Sequence, residues 1–147
     1  MQSMTINTTT TKTATGNRSR ALNITLWLLQ VLLAAAYVAH GWLMVSPPAE
    51  LVAMMNAQLG VGFRLFIGVA ELLAAVGLIL PGVTRILPWL TALAAAGLMI
   101  VMGSATVLHV VRGETESALS AAVLFVLVTI VANTRWKVQP IAVRKRA

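Results

Sequence analysis

Residues 63–82 read FRLFIGVAELLAAVGLILPG, and this stretch decides the fold. As a helix rising 1.5 Å per residue, 63–80 extends about 27 Å, close to the ~30 Å hydrocarbon core of a bilayer. Its two charges, Arg64 and Glu71, lie two turns apart on one helical face with Gly68 between them. A central acidic residue costs about 2.5–3.5 kcal/mol on insertion scales, so Glu71 is expected to face protein rather than lipid. Pro81-Gly82 reads as the end of the span.

Three further runs of this kind flank it. The spans read as about 21–45, 63–80, 87–111 and 118–133, with Ser46-Pro47-Pro48 closing the first and Pro88 in the first turn of the third. The competing reading of the first, a signal peptide with Arg18 and Arg20 ahead and Ala34-Ala35-Ala36 as cleavage site, fits less well because the apolar run continues past that site. Between spans one and two, Leu51, Met55 and Leu59 recur every four residues beside Val52. That spacing predicts a short amphipathic helix in the first outer loop, lying on the membrane or capping the bundle. The expected architecture is all-α: a membrane four-helix bundle over 21–134, preceded by a disordered Thr-rich arm (1–20) and followed by a basic tail (135–147).

Composition agrees. The 147 residues are 59% hydrophobic and 10% charged, with mean hydropathy +0.87, against about 45–50% and about 25% in soluble chains. So few charges cannot clothe a water-exposed surface. Cysteine is absent, which removes disulfides, thiolate metal sites and dithiol redox chemistry. Aspartate is absent too, and no metal site is expected. No nucleotide-binding loop, zinc-protease or serine-nucleophile motif occurs, so no autonomous catalytic motif marks the chain as an enzyme. The net charge of +7 and pI of 11.6 do not point to nucleic acid, because the cations sit at the ends and in short loops. With four spans, Lys12, Arg18, Arg20, Arg85 and five tail cations share one side, while only Arg64 and Arg112 take the other. The positive-inside rule then puts both termini in the cytoplasm. Trp27, Trp89 and Trp136 fall toward the inner interface and Trp42 toward the outer one.

Polar residues inside spans need partners, so they nominate the site. Asn23, Gln30 and Tyr37 repeat every seven residues and His40 follows three later, which makes one stripe along the first helix. The stripe reads as bundle-facing, either as interhelical glue or as a ligand wall. His40, Arg64, Glu71, His109 and Arg112 form a candidate cluster in the outer half, provided that spans one to three are mutual neighbours. A register-fixing polar network is the plain alternative to a pocket for a quinone-like ligand. Bis-histidine haem ligation by His40 and His109 is the weaker cofactor reading, because the two lie at different depths. Small-residue pairs at Ala35/Ala39, Ala70/Ala74, Ala92/Ala96 and Ala118/Ala122 permit close helix approach.

From Tyr37 to Glu114 the chain resembles the DoxX-like family of small four-span membrane proteins. The features that carry the likeness are AHGWLMV at the end of span one, the run RLFIGVAELLAAVGLILPGVTRILPWLTALAAAGLM, and HVVRGE after span three. Arg64, Gly68 and Glu71 fall where the family pattern has Arg, Gly and Glu, and His109 and Glu114 match its pattern after span three. Many relatives carry Lys shortly after the span-one Gly, where this chain has Met44. The resemblance implies a bacterial cytoplasmic (inner) membrane protein, and named members of the wider family are associated with quinone-linked sulfur oxidation or membrane oxidoreductase complexes. Three functional classes remain: a quinone- or redox-partner-binding subunit, a non-enzymatic assembly or interaction protein, and a small-solute transporter. The expected partners are lipid and a membrane or redox protein, with self-association left open.

Overall fold

The computed structural model describes residues 8–143, with side chains from Ser19 onward. Among them the chain is helical throughout: α1 (Thr8–Val45), α2 (Ala49–Leu59), α3 (Val61–Thr84), α4 (Trp89–Val111) and α5 (Thr115–Asn133), the last closing in a π-helical turn over Thr134–Val138. Four of these are long and apolar enough to cross a membrane, over Ser19–Val45, Val61–Thr84, Trp89–Val111 and Thr115–Val138. The protein is a multi-pass membrane protein built as a helix bundle. Polarity is inverted relative to a water-soluble fold: Leu32, Leu73 and Ile100 are 68%, 67% and 74% exposed, while Gln30, Glu71 and Thr91 are fully buried. Lipid can solvate the first group but not the second.

The bundle is a ring. α1 packs on α3, α3 on α4 and α4 on α5, and α5 returns sparingly to α1. α1 and α4 are diagonal, with no Cα atoms within 8 Å of each other. Tyr37 and Leu33 of α1, Leu78 of α3, Leu98 of α4 and Val128 and Val131 of α5 meet at the centre. Of the small-residue pairs, Ala35 and Ala39 face outward, while Ala92 and Ala118 are buried. Gly41 and Gly68 make a close crossing of α1 and α3. A Cβ built at Gly68 would lie 2.9 Å from the Gly41 carbonyl, and one at Gly41 would lie 2.9 Å from the Gly68 carbonyl. Only hydrogen fits at either position.

Several boundaries differ from the sequence reading. α1 extends back to Thr8, through part of the stretch read as a disordered arm; residues 1–7 and the cations Arg144, Lys145 and Arg146 lie outside the described residues. Adding residues to a helix already nucleated by a span needs no new nucleus. Pro81-Gly82 does not end α3. Pro81 lies inside the helix, and the end comes at Arg85 in the left-handed conformation. Proline deprives the Gly77 carbonyl of its usual donor, and neighbouring side chains in membrane bundles compensate such backbone groups. Here the Gln30 side-chain amide of α1 donates to the Leu78 carbonyl at 2.7 Å, one residue along from that gap. The amphipathic helix α2 forms where its periodicity requires, with Met55 buried and Leu51, Val52 and Leu59 half-buried on one face.

Candidate functional site

The Gly41–Gly68 crossing sets the geometry of the one carboxylate buried in the bundle. Gly41 follows His40, and Gly68 precedes Glu71 by almost one turn, so close backbone approach puts these two side chains side by side. His40 Nδ1 and Glu71 Oε2 are 2.6 Å apart. Glu71 is fully buried, whereas the His40 side chain is 49% exposed. The pair thus joins the interior of the bundle to its outer surface, and the carboxylate is reached through the imidazole. Glu71 Oε1 has no hydrogen-bond partner among the described residues, and neither does the buried hydroxyl of Tyr37, one turn before His40 on the same face of α1. His40 Nε2 makes no hydrogen bond to the described residues.

The other members of the sequence-derived cluster go elsewhere. Arg64 is buried and does not bond Glu71. Its Nε donates to Asn56 Oδ1 at 2.9 Å and its Nη1 donates to the Met44 carbonyl. Met44 lies in the last turn of α1, where carbonyls lack intrahelical donors and favour a cation. Arg64 is therefore a latch that fixes α2 against the ends of α1 and α3. Arg112 is a second latch, donating from Nη2 to the Gln58 carbonyl at 3.0 Å. His109 pairs locally with Glu114 in the α4–α5 turn, Nδ1 to Oε2 at 2.5 Å. The cluster divides because its premise fails: α1 and α4 are diagonal, so His40 and His109 sit on helices whose backbones do not adjoin. Among the described residues, no three His, Asp or Glu side chains converge as a metal site would need.

Sequence reasoning missed a second polar centre, at the end of the bundle that carries the chain termini. Arg135 had been counted with the solvated tail, but it is buried, with its guanidinium 5.4 Å from the Trp27 ring centroid. Its Nε donates to Gln30 Oε1 at 2.6 Å and its Nη1 to Asn23 Oδ1 at 2.7 Å. Asn23 and Gln30 thus do face inward, as their seven-residue repeat implied. A Cβ at Gly82 would meet the Trp27 ring at 2.8 Å, so glycine there lets the indole approach α3. The usable signal for Arg135 was its register: Val128, Val131 and Ala132 are buried on α5, and residue 135 continues that face at helical spacing.

Residues 28–131 match the DoxX-like family, a span that includes the Gly41–Gly68 crossing, the His40–Glu71 pair and both latches. The chain belongs to the DoxX-like family. No curated protein and no solved structure matches it. In this DoxX-like protein Met44 is buried with its Cβ over Gly68. Arg135 lies outside the matched segment, although its partner Gln30 lies within it.

Proposed function

We propose that this DoxX-like protein is a bacterial inner-membrane protein, with both termini cytoplasmic, that binds a membrane-dissolved quinone at His40 as part of a membrane oxidoreductase system. One observation carries the reading: a fully buried carboxylate hydrogen-bonded to an imidazole that is half open on the outside of the bundle. A polar nitrogen with no partner is costly near hydrocarbon, so Nε2 is suited to a ligand arriving laterally through the bilayer. With Glu71 ionised and accepting from Nδ1–H, neutral His40 presents a lone pair at Nε2 that accepts from a quinol hydroxyl. In its protonated state the imidazolium faces the Glu71 carboxylate and donates from Nε2 to a quinone carbonyl, so His40 can hold either redox state, while the two electrons that separate quinol from quinone pass to or from the oxidoreductase partner. A carboxylate that orients and stabilises a proton-handling imidazole is a recurring arrangement.

Trp42, two residues from His40 and 63% exposed, supplies the assay. A short-chain ubiquinone analogue added to the protein in nanodiscs should quench tryptophan fluorescence saturably, and Trp42→Phe should remove most of that signal. Loss of a hydrogen bond to a charged pair is worth about 1.5–3 kcal/mol, so His40→Ala and Glu71→Gln should each weaken binding about tenfold or more. Saturation with unchanged affinity in both variants would dismiss the site. Wild-type protein that shows no saturable quenching, yet co-purifies with a stoichiometric membrane protein released by His40→Ala, would favour the assembly-factor reading.

Topology is testable without background, because the chain has no cysteine. Ser46→Cys, at the exposed end of α1, should react with a membrane-impermeant maleimide in intact spheroplasts. Lys137→Cys should react only after permeabilisation. The reverse pattern would reject cytoplasmic termini.

A further inference from the structure

Among the described residues, the terminal end of the bundle carries an excess of cations with no glutamate to balance it. Glu50, Glu114 and Glu116 lie at the starts of α2 and α5, at the opposite end, and Glu71 lies in the half of α3 toward that same end. Arg20, Arg85, Arg135 and Lys137 occupy the terminal end. Arg135 is 4% exposed, and its partners Gln30, Asn23 and the Gln139 carbonyl are all neutral. Its Nη2 is buried without a partner. A buried guanidinium is normally balanced by an anion, and no described residue supplies one to Arg135.

Two cavities flank this charge. The first, about 350 Å³, is lined by Arg20, Asn23, Trp27, Arg85 and Gln139, so two of Arg135's own partners form part of its wall. The second, about 300 Å³, is bordered by Arg135 itself, with Trp89, Trp136 and Pro88 giving it an apolar lining. Pro140 and Ile141 line both. A polar cationic cavity beside an apolar one rimmed by tryptophan suits an amphiphile with an anionic head. From this we infer that the protein holds a phosphate-bearing anion between Arg20 and Arg85, with Arg135 as the buried charge behind it, in the form of an anionic phospholipid whose glycerol and acyl portion passes along Trp89 and Trp136. Basic pockets between membrane helices recognise such headgroups by this chemistry. The site is at the opposite end from His40 and does not depend on quinone binding.

Native mass spectrometry of the full chain, released from detergent after incubation with dioleoyl phosphatidylglycerol or dioleoyl phosphatidylcholine, tests the inference. Wild-type protein should retain one phosphatidylglycerol under activation that strips phosphatidylcholine. In the R20Q/R85Q double variant that preference should fall about tenfold or more. Both side chains are exposed, so the variant should keep its fold, which circular dichroism and size-exclusion chromatography would verify. Displacement of the lipid by millimolar inorganic phosphate would support the same site with free phosphate as a competent occupant; resistance to phosphate would support the lipid. Equal retention of both lipids by the wild type, or an unchanged preference in the folded double variant, would overturn it.

Discussion

Gly68→Leu should be the most damaging single substitution in the bundle, costing about 3 kcal/mol or more and abolishing quinone binding at His40. A Cβ at residue 68 already lies 2.8 Å from Met44 Cβ, 2.8 Å from Val45 Cγ2 and 2.9 Å from the Gly41 carbonyl. The last of these is backbone, and the first is fixed to backbone, so no side-chain rotation relieves the clash. Leucine adds three more carbons. Overpacking of a well-packed interior costs typically about 1–3 kcal/mol, and here the whole α1–α3 seam has to open. Opening it separates His40 from Glu71, whose 2.6 Å contact depends on the same crossing. Two readouts should therefore fall together: the unfolding midpoint in mixed detergent–dodecyl sulfate micelles, and saturable quenching of Trp42. Gly68→Ala should show the same pair of losses to a smaller degree. A leucine variant with wild-type midpoint and wild-type quinone affinity would mean that the crossing does not position the dyad.

How far the sequence foretells this arrangement depends on what each feature answers to. The spans are legible because hydrocarbon imposes one requirement on about twenty successive residues, which chance seldom mimics. α2 is legible because Leu51, Val52, Met55 and Leu59 answer to a single apolar face. The Asn23–Gln30–Tyr37 stripe is legible for the same geometric reason, and Gln30 and Tyr37 are buried. Which helices adjoin is a different matter, since apolar surfaces in lipid carry little pairing information. That is why His109, at a plausible depth, proves to sit diagonally from His40 and bonds Glu114 instead. Arg64 shares a face of α3 with Glu71, but the unfilled carbonyl at the end of α1 competes for the guanidinium and takes it. Pro81 signals an end in water, where a freed carbonyl would open the helix to solvent. In the bundle the helix continues through Pro81 to Thr84. Arg135 looks like any juxtamembrane cation until its register against Val128 and Val131 is followed beyond the apolar run.

Gln30 is thus the residue on which two separate elements converge, and its replacement should carry the second large effect. Its amide nitrogen satisfies the Leu78 carbonyl beside Pro81, and its amide oxygen accepts from Arg135 Nε. Gln30→Leu removes both bonds and keeps the bulk. Interhelical hydrogen bonds in membranes average only about 0.6 kcal/mol, so loss of the Leu78 bond alone would be modest. The Arg135 bond differs, because it solvates a buried charge; bonds to charged groups are worth about 1.5–3 kcal/mol, and breaking a buried charged pair costs about 3–5 kcal/mol. An overall loss of about 2–4 kcal/mol is therefore expected for Gln30→Leu. Arg135→Met removes the charge but leaves the oxygens of Gln30 and Asn23 without their donor, and it too should destabilise. In Gln30→Leu/Arg135→Met the orphaned charge and one orphaned acceptor disappear together. The double variant should then lose less than the two singles combined, with a coupling of about 1.5 kcal/mol or more in the same micellar unfolding measurement. Strict additivity would show that Gln30 does not support the arginine, and that the charge draws its stabilisation from Asn23, Trp27 or a bound anion.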